Sequence, residues 1–268
     1  MCIRTFISLQ KLERQYSYHP LIYGINGPQG CGKTTLAAEL VSAFSSLGKN
    51  AVSLSIDDFY LTHSEQLALA QRYPNDSLLQ QRGYPGTHDV QLGTRILQGL
   101  RNLGAGEILA CPVYDKSLFQ GQGDRLPEAK WKKVKGPVDV IFFEGWMLGF
   151  SEVAESELPS QELKGVNRFL GEYVEWTRLL DAFIQLMPRE IEFVVNWRIE
   201  AEEKMKAQGR SGMSSDEIRR YIEKFLPAYR LYLPRLAIQP PVSKNYMRLL
   251  LDEHRIPFAL DKGPGFVT

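Results

Sequence analysis

The residues that most clearly indicate chemistry lie between positions 27 and 34, where the chain reads Gly-Pro-Gln-Gly-Cys-Gly-Lys-Thr. This run fits the spacing G-x-x-x-x-G-K-[ST] of a phosphate-binding P-loop. Glycines let the backbone curl so that successive N–H groups point at phosphate oxygens, and Lys33 can reach the β- and γ-phosphates. The hydroxyl of Thr34 can bind Mg²⁺. We therefore predict an ATP site formed by the following residues: Gly27, Pro28, Gln29, Gly30, Cys31, Gly32, Lys33, Thr34 and Thr35.

Three carboxylates follow apolar strand-like runs and are candidates for phosphoryl-transfer chemistry. Asp57 and Asp58 come directly after the run 51–56, and Glu144 follows the most apolar run, 138–143. Transfer to an alcohol needs a base near the acceptor hydroxyl, and we assign that role to Asp57, with Lys33 as the second catalytic residue. Asp58 can support the base or hold a metal-bound water, and Glu144 is expected to bind Mg²⁺ together with Thr34. Helix capping is the structural alternative for the two aspartates.

Two loops, at 82–89 and 112–117, are dense in hydrogen-bond donors. A small anionic acceptor needs a cationic clamp, which Arg82, His88 or Lys116 could supply. We place these three residues in a substrate-binding set whose remaining members are Asp58, Tyr60 and Tyr114.

A lid is predicted over about 198–225, where Arg198 precedes a Gly/Ser-containing stretch. Lids exclude water that would compete with the acceptor, and Arg198 could stabilise charge on the transferring group of ATP. An exposed arginine without such a role is the alternative.

The elements that must position these residues alternate between strand and helix. Strands are expected at 21–25, 51–56, 108–111, 138–143, 182–186 and 246–251, and helices at about 33–47, 90–103, 161–180, 189–207, 216–225 and 227–235. This order predicts an α/β fold, a three-layer α/β/α sandwich with a mostly parallel sheet and a helical lid. Residues 1–268 are expected to form a single domain with a lead-in at 1–19, where helical periodicity is weak.

Composition limits the classes of binding partner that we expect for the chain. The net charge is +1, so no nucleic-acid or membrane partner is expected, and the one dense basic run, 130–135, is interpreted as a solvated loop or strand edge. The 3 cysteines share no metal-ligand spacing and indicate a reducing compartment, although oxidation of Cys31 could block the P-loop. We expect a monomer located in a bacterial cytoplasm, or in the chloroplast stroma for a mature plant-type protein.

At this point the sequence resembles the D-glycerate 3-kinases of the plant and cyanobacterial type, within the phosphoribulokinase and uridine kinase branch of P-loop kinases. The resemblance covers about residues 20–260 and is carried by GPQGCGKTT at 27–35, SIDDFY at 55–60, RGYPGTHD at 82–89, YDKS at 114–117, GQGDR at 121–125, FEGWMLGF at 143–150, WR at 197–198, GMS at 212–214 and LPAY at 226–229.

The resemblance implies Mg²⁺-dependent transfer from ATP to D-glycerate, giving 3-phosphoglycerate as in the last step of photorespiration. In the wider branch the aspartate of the second strand is the base, which corresponds to Asp57. Glu200 stands where the family pattern has glutamine. The alternatives are a kinase of uridine, pantothenate or a sugar phosphate, and a nucleotide-dependent switch or binding protein; no N-K-x-D guanine motif is present.

Overall fold

A six-stranded, mostly parallel sheet organises the chain. The computed structural model describes residues 9–12, 20–207, 209 and 214–263. The strand order is β10-β9-β8-β1-β7-β2, and only the pair formed by β9 and β10 is antiparallel. The six strands are β1 (Leu21–Asn26), β2 (Ala51–Ser55), β7 (Val140–Gly145), β8 (Ala182–Pro188), β9 (Tyr246–Leu251) and β10 (Pro257–Lys262).

Continuous apolar runs explain the centre of this sheet. Every residue of β1 and β7 is buried, which is the pattern expected of parallel strands covered by helices on both faces. Four shorter strands lie outside the sheet as two antiparallel pairs: β3 (Ile108–Cys111) with β6 (Lys132–Lys135), and β4 (Tyr114–Asp115) with β5 (Asp124–Arg125).

The helices flank the sheet and connect its strands. They are α1 (Lys33–Ser46), α2 (His63–Arg72), α3 (Val90–Arg101), α4 (Leu163–Phe169), α5 (Val174–Thr177), α6 (Phe193–Ala207), α7 (Ser215–Glu223) and α8 (Leu226–Ile238). None of the helices in the described ranges is both long and apolar enough to cross a membrane.

The predicted α/β fold is confirmed, with some differences in its elements. The helix expected at 161–180 is divided into α4, a 3-10 turn (Leu170–Tyr173) and α5, and Gly171 lies in that turn. Glycine is a poor helix former, which fits an interruption there. The region 108–111 is a strand as expected, but it pairs with the basic run rather than with the central sheet. α2 and β10 were not predicted.

Two predicted segments lie partly outside the described residues. Of the lead-in at 1–19, only 9–12 is described; it is helical, and Leu9 and Leu12 are buried. In the predicted lid, residues 208 and 210–213 are outside the described ranges, and they include most of the GMS motif.

Parallel pairing brings the predicted site to one edge of the sheet. Glu144 of β7 lies opposite Ile25 of β1 and Ser55 of β2. The P-loop after β1, the aspartates after β2 and the end of β7 therefore meet at the carboxyl ends of the strands. Ligands of open α/β sheets bind at this edge.

Candidate active site

The P-loop takes its shape from backbone conformation and close packing. Gly30 and Gly32 have φ angles of 77° and 99°, in the left-handed region that favours glycine. At Gly27, an added Cβ would lie 2.9 Å from the Leu186 carbonyl oxygen, so a side chain would displace the loop from β8. The loop leads directly into α1, whose N-terminal N–H groups suit it to an anion.

Side chains at the start of α1 link the P-loop to the end of β7. The Nζ of Lys33 donates to the Pro28 carbonyl at 3.1 Å, across the loop. The hydroxyl of Thr34 donates to Oε1 of Glu144 at 2.8 Å, and Glu144 is itself buried. The structure thus brings together the two residues that the sequence predicts as metal ligands.

Oxygen ligands at this position fit Mg²⁺. Magnesium uses one or two protein oxygens and takes its remaining ligands from water and substrate phosphates. The part of the chain that is described contains no cluster of three His, Cys, Asp or Glu residues able to hold a metal, and a Mg²⁺ site of this kind does not need one. Thr34 and Glu144 are the residues that would hold the ion.

Cys31 lies inside the loop wall rather than in the phosphate cradle. It is only 3% exposed, and burial raises the pKa of its thiol. Since thiolates are the reactive form, the structure argues against the sensitivity to oxidation considered from the sequence.

A cavity of about 510 Å³ lies beside the loop, with Cys31, Thr35 and Glu39 in its lining. Its opposite wall is formed by Arg255, Ile256 and Pro257. Its volume is in the range of small-molecule pockets, so an adenosine group could fit against the P-loop here.

Arg255 is a residue that the sequence analysis missed. Its Nε donates to the Gly30 carbonyl at 2.7 Å, and its Nη2 donates to the Trp197 carbonyl at 3.2 Å. Glu200 completes the set by accepting from Nη1 at 2.6 Å. The residue that departs from the family pattern therefore holds an arginine that braces the P-loop. Only the tertiary fold brings these positions together, since Arg255 and Gly30 are 225 residues apart.

Asp57 lies after β2, in a 3-10 turn (Ile56–Phe59), and pairs with Lys116. The distance from its Oδ2 to the Lys116 Nζ is 2.5 Å. Burial opposes ionisation of Asp57, but the charge and hydrogen bond of Lys116 outweigh it and lower the pKa of the carboxyl. Asp57 is therefore ionised at neutral pH and able to accept a proton. Lys116, expected as a substrate clamp, directly contacts this carboxylate instead.

Asp58 has the capping role that was the alternative for this pair. Its Oδ2 accepts from the Ser55 backbone N–H at 3.1 Å, within a capping box. Burial, followed by the nearby charges of Asp57 and Glu144, raises the pKa of Asp58 to about 6. A carboxyl with this pKa is still mostly ionised at pH 7, and its Oδ2 is already occupied by the Ser55 N–H.

His88 is held by aromatic residues. Its ring stacks on Tyr60 with centroids 4.3 Å apart, and its Nδ1 lies 2.8 Å from the Tyr173 hydroxyl. Burial lowers the pKa of His88 to about 3. The structure therefore corrects the expectation of a cationic clamp at this position, because a neutral, buried imidazole supplies no positive charge. The buried Nε2 of His88 has no hydrogen-bond partner among the described residues.

Arg82 and Tyr114 lie together at the mouth of the predicted acceptor site. The guanidinium of Arg82 is 5.7 Å from the centroid of the Tyr114 ring. Its Nη1 donates to the Gly121 carbonyl at 2.7 Å and also to Gln122. The GQGDR segment thus positions Arg82 through its backbone carbonyls, and both predicted residues belong to one cluster.

Trp146 connects the loop 82–89, which we call the acceptor loop, to the end of β7. Its indole Nε1 donates to the Gly83 carbonyl at 2.9 Å, and its ring meets that of Tyr84 edge-on at 5.5 Å. The FEGWMLGF motif therefore connects the residues around Glu144 to the loop that carries Arg82.

Arg198 lies in α6, on the side of the predicted lid. Its Nη1 is 2.6 Å from Oε2 of the buried Glu202. The P-loop also contacts the next helices, since the Gln29 N–H donates to the Tyr229 hydroxyl of α8 at 3.2 Å. The helix α8, which follows the predicted lid in the chain, therefore contacts the P-loop, and closure of the lid over ATP stays a prediction.

Comparisons with known proteins agree with this geometry. The model of the phosphoribulokinase / uridine kinase family matches residues 22–157. The chain is 38% identical over 245 residues to the chloroplastic D-glycerate 3-kinase of Arabidopsis thaliana, covering 89% of this chain and 54% of that protein. It therefore spans about half the length of that relative.

Two further relatives match over nearly their full length. An uncharacterized kinase of Schizosaccharomyces pombe, mug58, is 37% identical, with 90% of this chain and 91% of that one covered. The solved structure of a D-glycerate 3-kinase from Cryptococcus neoformans superposes with a TM-score of 0.84 at 31% identity, covering 97% of both chains.

Proposed function

The chain belongs to the phosphoribulokinase / uridine kinase family, and we propose that it transfers phosphate from ATP to D-glycerate to give 3-phospho-D-glycerate. That it is a P-loop kinase follows from the family. The acceptor is our proposal, and it is supported by the two relatives whose names specify D-glycerate 3-kinase.

The observation that carries the proposal is the placement of Asp57 beside the P-loop end of the sheet. Ser55 is opposite Glu144 in the register of β2 and β7, and Asp57 follows two residues later. An ionised carboxylate thus lies next to the Thr34–Glu144 pair at the same sheet edge. A base beside the phosphate cradle is what transfer to an alcohol requires.

Each group of the chain has a defined task in this proposal. The P-loop N–H groups and Lys33 bind the phosphates of ATP, and Asp57 accepts the proton of the attacking hydroxyl. Lys116 keeps Asp57 ionised and positions it. Mg²⁺, when bound at Thr34 and Glu144, neutralises charge on the phosphates. The lid helices exclude water from the reacting groups.

An acidic acceptor fits the charges around Asp57. Lys116 contacts the base, and Arg82 lies within electrostatic range of Lys116; of the two cations only Lys116 has a carboxylate partner among the described residues. A small hydroxy acid would bring the missing negative charge. Uridine is uncharged, and it would leave Arg82 without a counter-ion.

A coupled assay of ADP release tests the proposed acceptor. The protein, ATP and Mg²⁺ are combined with D-glycerate, uridine, pantothenate or ribulose 5-phosphate. We expect acceptor-stimulated release with D-glycerate well above the rate of the other three. Release that rises with another acceptor and stays at the buffer rate with D-glycerate would refute the assignment.

A further inference from the structure

Tyr221 of α7 has no role in the site described so far. Its ring lies 5.1 Å from that of Phe225, one helical turn later in the chain. Phe225 in turn stacks on Tyr84, with centroids 4.9 Å apart and planes within 4°. Tyr84 belongs to the same loop as Arg82. This series of rings fixes the helix that carries Tyr221 over the predicted acceptor loop.

The phenol of Tyr221 lies among the charged groups of that site. Its hydroxyl is within electrostatic range of Asp57, Lys116, Arg198 and Arg82. Burial, followed by the negative charge of Asp57, raises the pKa of this phenol. Tyr221 therefore remains protonated at neutral pH, and its hydroxyl can donate a hydrogen bond.

Two of these groups can take a further acceptor, since Tyr221 is half-buried and Arg82 donates to carbonyls only through its Nη1. Within the described ranges, no residue accepts a hydrogen bond from the Tyr221 hydroxyl, and no carboxylate forms an ion pair with Arg82. The other two cations are paired, since Lys116 contacts Asp57 and Arg198 contacts Glu202. A free phenol donor and a guanidinium without a counter-ion, brought to one place by α7 and the acceptor loop, form a site for one small anion.

We propose that Tyr221 donates a hydrogen bond to the carboxylate of the acceptor, whose charge is paired with Arg82. The inference rests on the proposed function and adds a specificity-determining residue from the lid. Holding the carboxylate between α7 and the acceptor loop leaves the far end of a short hydroxy acid to face Asp57. Binding of the acceptor would then also hold α7 over the site.

Contact with the acceptor rather than with ATP follows from how α7 is packed. Through Phe225 its aromatic contacts reach Tyr84, with centroids 4.9 Å apart, and more distantly Tyr229, with centroids 6.4 Å apart. The P-loop is instead braced by hydrogen bonds from Arg255 and to Tyr229 of α8. Removing the hydroxyl of Tyr221 should therefore weaken acceptor binding and leave nucleotide binding unchanged.

The test compares the wild type with Tyr221→Phe and with Tyr73→Phe as a matched control. Tyr73 is 37% exposed, its ring contacts Phe169, and it lies outside the site. The KM of D-glycerate is measured at saturating ATP, and the KM of ATP at saturating D-glycerate. The inhibition constant of D-lactate reports binding of a carboxylate that lacks the 3-hydroxyl group.

For Tyr221→Phe we expect the KM of D-glycerate and the inhibition constant of D-lactate to rise together by about tenfold or more, the size of one hydrogen bond to a charged group. The KM of ATP should stay within about twofold of wild type, as should every constant of Tyr73→Phe. Unchanged acceptor constants, or an equal rise in the KM of ATP, would overturn the role of Tyr221 alone. A wild type that phosphorylates a different acceptor and not D-glycerate would overturn the proposed function together with this inference.

Discussion

The two sides of the site are built in different ways. The nucleotide side consists of residues 27–35, Glu144 and Arg255. The fully buried strands β1 and β7 anchor all of it except Arg255, which lies between β9 and β10. The acceptor side, consisting of Asp57, the loops 82–89 and 114–125 and α7, depends on loops and on strands of only two residues each. Backbone N–H groups line the phosphate cradle of the first side, and side chains line the second.

This difference explains which features of its ligand each side can recognise. Phosphates are bound by N–H groups, so a generic motif suffices and any sequence with the right glycines can provide it. An acceptor is recognised by particular side chains that loops hold in place, so its identity depends on narrower motifs. Substitutions on the two sides should therefore affect different kinetic constants.

The largest effect should come from Asp57→Asn on the acceptor side. Without the carboxylate no residue accepts the proton of the hydroxyl, and kcat should fall by about 10²–10⁴-fold. ATP binding, measured by calorimetry, should match the wild type, because the P-loop is untouched. Near-normal turnover would remove Asp57 from the role of base.

Glu144→Gln should affect the nucleotide side of the site, by changing the dependence of activity on Mg²⁺. The amide cannot supply the negative charge of the carboxylate beside Thr34, so the Mg²⁺ concentration for half-maximal activity should rise by roughly 10–100-fold. The assay is a Mg²⁺ titration at fixed ATP and acceptor. An unchanged titration curve would contradict the assignment of Glu144 as a metal ligand.

A smaller effect is expected for Arg255→Gln, which removes the brace on Gly30. The P-loop then loses a charged hydrogen bond, and the KM of ATP should rise by about tenfold while the KM of the acceptor stays unchanged. Arg248→Gln is the matched control, because Arg248 pairs with Asp261 on the β9–β10 hairpin and does not touch the P-loop. Equal changes in both variants would show that the hairpin matters only for stability.

A different quantity, the pH dependence of stability, is expected to change at His88. Its pKa is about 3 in the fold and 6.5 as an unperturbed group. Between these values the unfolded chain binds a proton that the folded chain does not, so stability falls as the pH drops below 6.5. Asp57 and Lys116 are the charges that face this ring.

Replacing His88 should remove the contribution of this residue to the slope of folding stability against pH. Urea unfolding of His88→Gln between pH 7 and pH 4 should show a slope smaller by up to about 1.4 kcal/mol per pH unit. Parallel curves for the two proteins would mean that His88 titrates normally in the fold.

The sequence predicted which polar residues of the site follow the strands, but it predicted their interaction partners less well. Thr34 and Glu144 meet as expected, because a motif and a strand end determine both positions. Lys116 was identified as a cation of the site, but its contact with Asp57 depends on where the loop 112–117 folds back. The neutral state of His88 could not be predicted, because it follows from burial against Tyr60 and Tyr173.

Arg255 and Tyr221 are two residues that sequence motifs could not identify. Both lie outside any recognised pattern, on a hairpin and on a polar helix, and reach the site only through tertiary packing. Long-range contacts of this kind leave no local signal in one sequence.

Identification of the product by ³¹P NMR tests the central claim most directly. The wild-type protein is incubated with ATP, Mg²⁺ and D-glycerate, and the phosphorylated acid is compared with authentic standards. We predict that 3-phosphoglycerate accumulates as ATP is converted to ADP. A phosphate on the 2-hydroxyl group, or no phosphoglycerate under conditions where another acceptor is phosphorylated, would contradict it.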